Sequence, residues 1–290
     1  MLYSLLIEPF ADYSFMRRAL VACLALGMSC GPVGTLLVLR RMSLVGDAMA
    51  HALLPGAAIA FVIAGYSLFA MSIGGFIAAM LVALAAGLVT HFTSQKEDAS
   101  FAAFYLIALA AGVMIISTHG SSVDLMHVLF GTILAVDNDA LFLIATVSSF
   151  TLVTLAVIYR PLVVECFDPG FMRAIGGYGP FFHLLFLVLV VINLVSGFEA
   201  LGTLMAVGLM MLPAAAARFW ATEVWSLSVV ASVMAIVSGF VGLLISYHAN
   251  LPSGPAIVLT AGAFYVGSLI VGRRDSLAAQ FFNNRSHKEA

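Results

Sequence analysis

The sequence predicts an all-α integral membrane protein, a polytopic helical bundle with room for broken or re-entrant helices. Three observations predict it. Of 290 residues, 63% are hydrophobic and only 9% are charged, whereas a soluble domain carries roughly 25% charged residues. Mean hydropathy is +1.12. The apolar residues run continuously instead of alternating, which favours helices over a membrane barrel. A spanning helix needs about 20 mostly apolar residues. Apolar runs fall near 19–39, 48–66, 68–91, 101–119, 140–159, 181–197, 201–217, 225–248 and 255–272. These runs predict about eight or nine spans in a single transmembrane domain over 1–290, with a short polar tail over 273–290.

Basic residues orient such a bundle, because Lys and Arg collect on the cytoplasmic side. With the N-terminus outside, the inner side receives Arg40, Arg41, Lys96, Arg160, Arg173, Arg218, Arg273, Arg274, Arg285 and Lys288. Only Arg17 and Arg18 fall outside. The predicted orientation is N-out and C-in. The outer segments then carry His119, Asp124, His127, Asp137, Asp139, Glu199 and His248. Met1–Phe10 has neither a basic n-region nor a cleavage site and does not read as a signal peptide.

Composition also excludes function classes. A net charge of -2 offers no basic surface for nucleic acid. Cys23, Cys30 and Cys166 form no Cys-x-x-Cys pair. Cys23 and Cys30 lie seven apart on one helical face and read as small buried packing residues. A P-loop needs Gly-Lys-Ser/Thr, but the two lysines follow Gln95 and His287. No histidine is followed by Glu, so no His-Glu-x-x-His zinc helix exists.

What remains is ionisable groups in lipid, each costly and each a functional candidate. The strongest case is RRMSLVGDAMAHALLPG, residues 40–56. Asp47 and His51 are four apart and share one helix face, where a carboxylate oxygen and an imidazole nitrogen can ligate one divalent cation. Pro55–Gly56, one turn on, can loosen the helix and expose carbonyls. The plainer alternative is that Asp47 N-caps the second span and His51 bonds a neighbouring helix. Asp124 and His127, spaced i, i+3, lie in a segment too polar at its start for a full span, either a vestibule or re-entrant helix or an exposed loop. Glu199 sits between two runs joined by almost no loop, facing the pathway or marking the water boundary. His91 and His183, near inner span ends, read as packing or interfacial residues. In 202–217, Gly202, Gly208, Pro213 and the four alanines after it predict close packing or a kink.

Segment 160–179, RPLVVECFDPGFMRAIGGYG, predicts a short helix: Asp168 caps it, Pro169 opens it, and Gly176–Gly177 follow it. An amphipathic helix there would suit a soluble partner; an ordinary loop helix at the interface is the alternative.

These residues resemble the permease subunits of ABC importers that take up zinc or manganese. GTLLVLRRMSLVGDAMAHALLPG, 34–56, is similar to that family's most distinctive segment. HVLFGTILAV (127–136), FDPGFMRAIG (167–176) and LGTLMAVGLMMLPAAAA (201–217) resemble further blocks in the same order. The resemblance implies a homodimer in a bacterial inner membrane, a cytoplasmic ATP-hydrolysing partner subunit and an extracytoplasmic metal-binding protein. It implies no permanently bound cofactor, with ATP on the partner and Zn(II) or Mn(II) as cargo. Asp47 and His51 fall on the positions associated with the metal path. Phe167, Asp168, Pro169, Phe171, Arg173 and Gly176 fall on the segment that docks into the ATPase. Asp124, His127 and Glu199 are further candidates along the path. Recurring imidazoles at His51, His119, His127 and His248 incline the reading toward Zn(II). The competing classes are an ion-gradient-driven secondary carrier and an intramembrane enzyme. The orientation has a direct test: a reporter fused after Ala290 is expected to be active only in the cytoplasm, and activity outside would overturn the map.

Overall fold

A computed structural model describes residues 6–65, 67–118, 136–174, 177–274 and 276–279. Asp124, His127 and Gly176 lie outside them, as does the side chain of Glu199. The described residues form helices and no strands. In chain order the helices are α1 (Glu8–Asp12), α2 (Ser14–Leu39), α3 (Ser43–Ala64), α4 (Leu68–Phe92), α5 (Glu97–Thr118) and α6 (Asn138–Phe167), then α7 (Pro169–Ala174), α8 (Gly179–Leu201), α9 (Thr203–Ala217), α10 (Val224–Ala249) and α11 (Ser253–Val271). Eight are long and apolar enough to cross a membrane; α9, with 15 residues, is shorter. Each apolar run therefore became a helix, and the run over 201–217 became the short one.

Lipid offers no partners for peptide groups, so helices that satisfy their own backbones are the natural solution. Nor does lipid drive helices together by the hydrophobic effect, so association depends on close packing and interhelical hydrogen bonds. The central helix shows both. About 78% of the α2 span is buried, against 17% for α5 at the rim. A Cβ on Gly27 would sit 2.9 Å from Ile236 Cγ1, and one on Gly31 would collide with Ser232, both on α10. A Cβ on Gly34 would strike the Met210 carbonyl of α9. Cys23 and Cys30 are buried on α2, as packing residues should be. Ser29 Oγ lies 3.1 Å from Ser148 Oγ of α6. Asn193 of α8 donates to Thr151 Oγ1 of α6 at 2.7 Å.

A second packing centre is α3. Gly56 meets Gly74 of α4 so closely that a Cβ on either would overlap the other's carbonyl oxygen. A Cβ on Gly112 of α5 would lie 3.0 Å from Pro55 N. Here the expectation of a loosened helix is corrected. α3 runs unbroken through Pro55, because small residues on α4 and α5 close over it.

Two further boundaries differ. α6 continues through Pro161 to Phe167, so Arg160 lies within a helix and not in a loop. Proline removes only one intrahelical bond, and the apolar residues after it keep the helix going. α2 begins at Ser14, so Arg17 and Arg18 belong to its first turns, with Arg17 donating to the Ala11 carbonyl at 2.7 Å. α8 and α9 meet at Gly202, whose φ of 83° reverses the chain; Gly197 and Ala206 then face each other across the turn.

The alternation of helices gathers Arg40, Arg41, Lys96, Arg160, Arg218, Arg273 and Arg274 toward one end of the bundle. Contacts between distant segments confirm a common end: Arg40 meets Cys166 and His183, and Arg274 N donates to the Phe219 carbonyl at 3.1 Å.

The packing generates a contrast of sign. Gly56→Ala is expected to lower the unfolding midpoint in detergent, at a cost of about 1–3 kcal/mol from overpacking. A Cβ on Gly87 of α4 meets nothing within 4 Å. Gly87→Ala should therefore be neutral or stabilising by up to about 1 kcal/mol. Equal midpoints for the two would show that the α3–α4 approach contributes little.

Candidate functional site

Asp47 is the fifth residue of α3 and His51 the ninth. At about 1.5 Å rise per residue they stand about 6 and 12 Å from the helix start. Asp47 Oδ1 and His51 Nε2 are 3.6 Å apart. That exceeds hydrogen-bond range. It matches two donors on one tetrahedral ion, which lie about 3.3–3.6 Å apart when each bond is about 2.0–2.2 Å. The alternative that Asp47 caps α3 is excluded, since the N-cap is Met42 and no side chain caps the helix.

The two side chains differ in environment. Asp47 is 54% exposed and His51 29%. The imidazole stacks on Tyr105 of α5, centroids 6.0 Å apart and planes at 26°. Its Nδ1 is buried without a hydrogen-bond partner among the described residues, and Nε2 is the ring nitrogen toward Asp47. Tyr105 went unnoticed in the sequence because an aromatic within an apolar run has no local signature. Among the described residues no three His, Cys, Asp or Glu side chains gather closely enough to hold a metal. Among those residues the pair stands alone.

The expected surface helix is present as α7. Asp168 Oδ1 accepts from Phe171 N at 2.8 Å, Pro169 is the first helical residue, and Gly177 N donates to the Met172 carbonyl at 2.9 Å. Phe167 and Phe171 are exposed while Met172 is buried, giving α7 an apolar outer face. The side chains of Pro169 and Arg173 fall outside the described set. Glu199 ends up in the last turn of α8, beside Gly202.

A polar junction joins α2, α5, α6 and α8 at the basic end. Arg40 Nε donates to Cys166 Sγ at 2.9 Å, and Nη1 donates to His183 Nδ1 at 2.6 Å. His183 Nε2 lies 3.2 Å from Glu97 Oε1. The guanidinium also stands 5.1 Å over the Phe186 ring. His183 is thus a hydrogen-bonded packing residue, as its position at a span end suggested. Its partners carried no sequence signal, since all lie on other helices.

Gly27–Gly31 reads Gly-Met-Ser-Cys-Gly and meets the spacing of a hydrolase nucleophile elbow. The context excludes that role. Ser29 is buried in mid-helix, shares its hydroxyl with the Leu26 carbonyl and Ser148, and lies on no strand-to-helix turn.

Eight helices long and apolar enough to span a bilayer, with a capped helix at the bundle's basic end, define a polytopic membrane protein in which Asp47 and His51 are the candidate ligands. The particular kind follows from comparison with known proteins. The chain belongs to the ABC 3 transport family, whose model matches residues 12–272. It is 33% identical to the manganese import system permease protein ScaB of Streptococcus parasanguinis, over 91% of this chain and 93% of the relative. It is 32% identical to the chelated iron transport system membrane protein YfeD of Yersinia pestis, over 93% of this chain and 89% of the relative. Its fold is similar to PsaBC from Streptococcus pneumoniae, solved in complex with Fab, with a TM-score of 0.84 and 30% identity over 97% of this chain and all of that one. The chain is the multi-pass permease subunit of a metal ABC importer; it is not an enzyme, and the ATPase is a separate subunit. The secondary-carrier reading is not favoured.

Proposed function

We propose that this chain imports a divalent first-row transition metal as a homodimer, with Asp47 and His51 of each copy lining the passage. The observation that carries the reading is the half-exposed Asp47 beside His51 on a spanning helix. A carboxylate facing hydrocarbon is costly. It becomes tolerable where a second copy, water and the passing ion meet it. Two copies across a two-fold axis supply up to four protein ligands. Such a site releases its ion because no closed shell forms, unlike a structural zinc site.

The ion we propose is Mn(II), with Fe(II) next and Zn(II) behind. The inclination toward Zn(II) finds no support among the relatives, which are named for manganese and iron. The ligand set is compatible, since carboxylate and imidazole serve all three ions and selectivity follows geometry and supply. An external metal-binding protein delivers the ion. The basic end faces the cytoplasm, as the positive-inside rule requires. There α7, with Phe167 and Phe171 exposed and Asp168 as cap, docks into the ATPase.

Two outcomes test this reading. Asp47→Ala and His51→Ala are each expected to lower Mn(II) uptake by 100-fold or more, on the order of losing one metal ligand's support, while dimer and ATPase assembly persist. Near-normal uptake by both would remove the pair from the path. Phe171→Asp is expected to release the ATPase from an otherwise folded bundle. A complex that survives the change intact would place the dock elsewhere.

A further inference from the structure

The function above absorbs α3 and α7 but leaves the Arg40 junction without a role. Its place in the chain is informative. Arg40 is the first residue after α2, and α3 begins at Ser43. Cys166 is the penultimate residue of α6, three positions before α7. The Arg40–Cys166 bond therefore ties the turn that leads into α7 to the turn that leads into α3.

Three features make this turn more than a chance contact. Arg40 reaches Cys166, His183 and the Phe186 face from different parts of one planar group. A lysine ammonium, a single point charge, has no such fork. Arginine can only donate, so His183 Nδ1 accepts and the ring proton sits on Nε2, aimed at Glu97. The partners thus impose one orientation on the imidazole. Next, Arg41 holds φ 60°, a left-handed conformation uncommon for a side chain of this size, and Met42 N closes back onto the Leu37 carbonyl at 2.9 Å. Strained backbone of this kind persists where its surroundings over-determine it. Last, opposite charges are left unmatched: Arg40 Nη2 and Glu165 Oε2 are both buried without a hydrogen-bond partner among the described residues. Both groups lie within electrostatic reach of the Cys166 thiol.

We propose that Arg40 is a positioning residue for transport: held by Cys166 and His183, it passes displacement of α7 to α3 and so sets the placement of Asp47 and His51. The inference rests on the reading that α7 meets the ATPase and that the Asp47–His51 pair lines the metal path. Asp47 lies seven residues beyond Arg40, on the helix that the strained turn feeds. A rotation delivered at Arg40 reaches the carboxylate through about one helical turn of α3.

The test measures Mn(II) uptake and ATP hydrolysis together, in proteoliposomes holding the full complex and its metal-binding protein. Arg40→Lys and His183→Phe are expected to keep basal hydrolysis within about two-fold while Mn(II) moved per ATP falls about 10-fold, in the usual range of coupling effects. His183→Gln, whose amide oxygen accepts from Arg40 and whose amide nitrogen donates to Glu97, is expected to restore the ratio. A purely structural role would show in assembly and basal hydrolysis, and would not lower the Mn(II) moved per ATP while hydrolysis is unchanged. Should Arg40→Lys fail to assemble, the two His183 variants still decide, and equal ratios for them overturn the inference. A wild-type complex that moves metal while Arg40→Lys stays fully coupled also sinks it, leaving the transport reading intact. A wild-type complex that hydrolyses ATP but moves no Mn(II) sinks the transport reading and this inference with it.

Discussion

Close approach of α2 to its neighbours is the constraint on which the rest of the bundle depends. Lipid supplies no hydrophobic drive for helices to associate, so contact must come from backbones near enough for dispersion and polar side chains to act. Gly27 and Gly31 let α10 in on one side, and Gly34 admits α9 on another. The Ser29–Ser148 contact ties α6 to the same helix. With three helices held against it, α2 has little freedom to tilt, and its last residues emerge at a defined point. Arg40 is placed by that geometry, within reach of α6 and α8.

The second centre, α3, has a different task. Its Pro55–Gly56 step is a surface for α4 and α5 and not a hinge, because Gly74 and Gly112 lie against it. That packing brings Tyr105 over His51 and orients the ring, leaving Nε2 toward Asp47. The bundle closes on one side of the pair and stays open on the other. A closed shell would retain its ion; an open pair that needs a second copy or a passing ion to complete it suits transient contact.

Polar groups in this protein are concentrated where they can be answered. Hydroxyls within the span bond carbonyls of their own helix, as Thr35 does with Gly31 and Thr260 with Ala256. Charged groups gather near the ends. At the Arg40 junction one guanidinium nitrogen is left buried without a hydrogen-bond partner among the described residues. Buried charge of this sort is weak evidence for stability. The same reasoning separates Gly27–Gly31 from a catalytic motif: a pattern of residue types has chemical meaning only in the backbone context that exposes it.

Sequence alone determined the helical class, the order of the apolar runs, the capped helix after Asp168 and the shared face of Asp47 and His51. These are local properties, set by runs of about 20 residues or by spacings of three and four, and such spacings are legible wherever a helix forms. Helix ends were less legible: Arg160 and Pro161 looked like a loop, yet the apolar residues beyond them carried α6 on to Phe167. Tertiary structure alone decided that Asp47 is no cap, that α3 is unbroken at Pro55, and that Tyr105 covers His51. It also decided which partners Arg40 takes, for Cys166 is 126 residues away and His183 143. No periodicity reaches that far. Contacts at that separation exist only because glycines on several helices set how closely, and at what rotation, the helices meet.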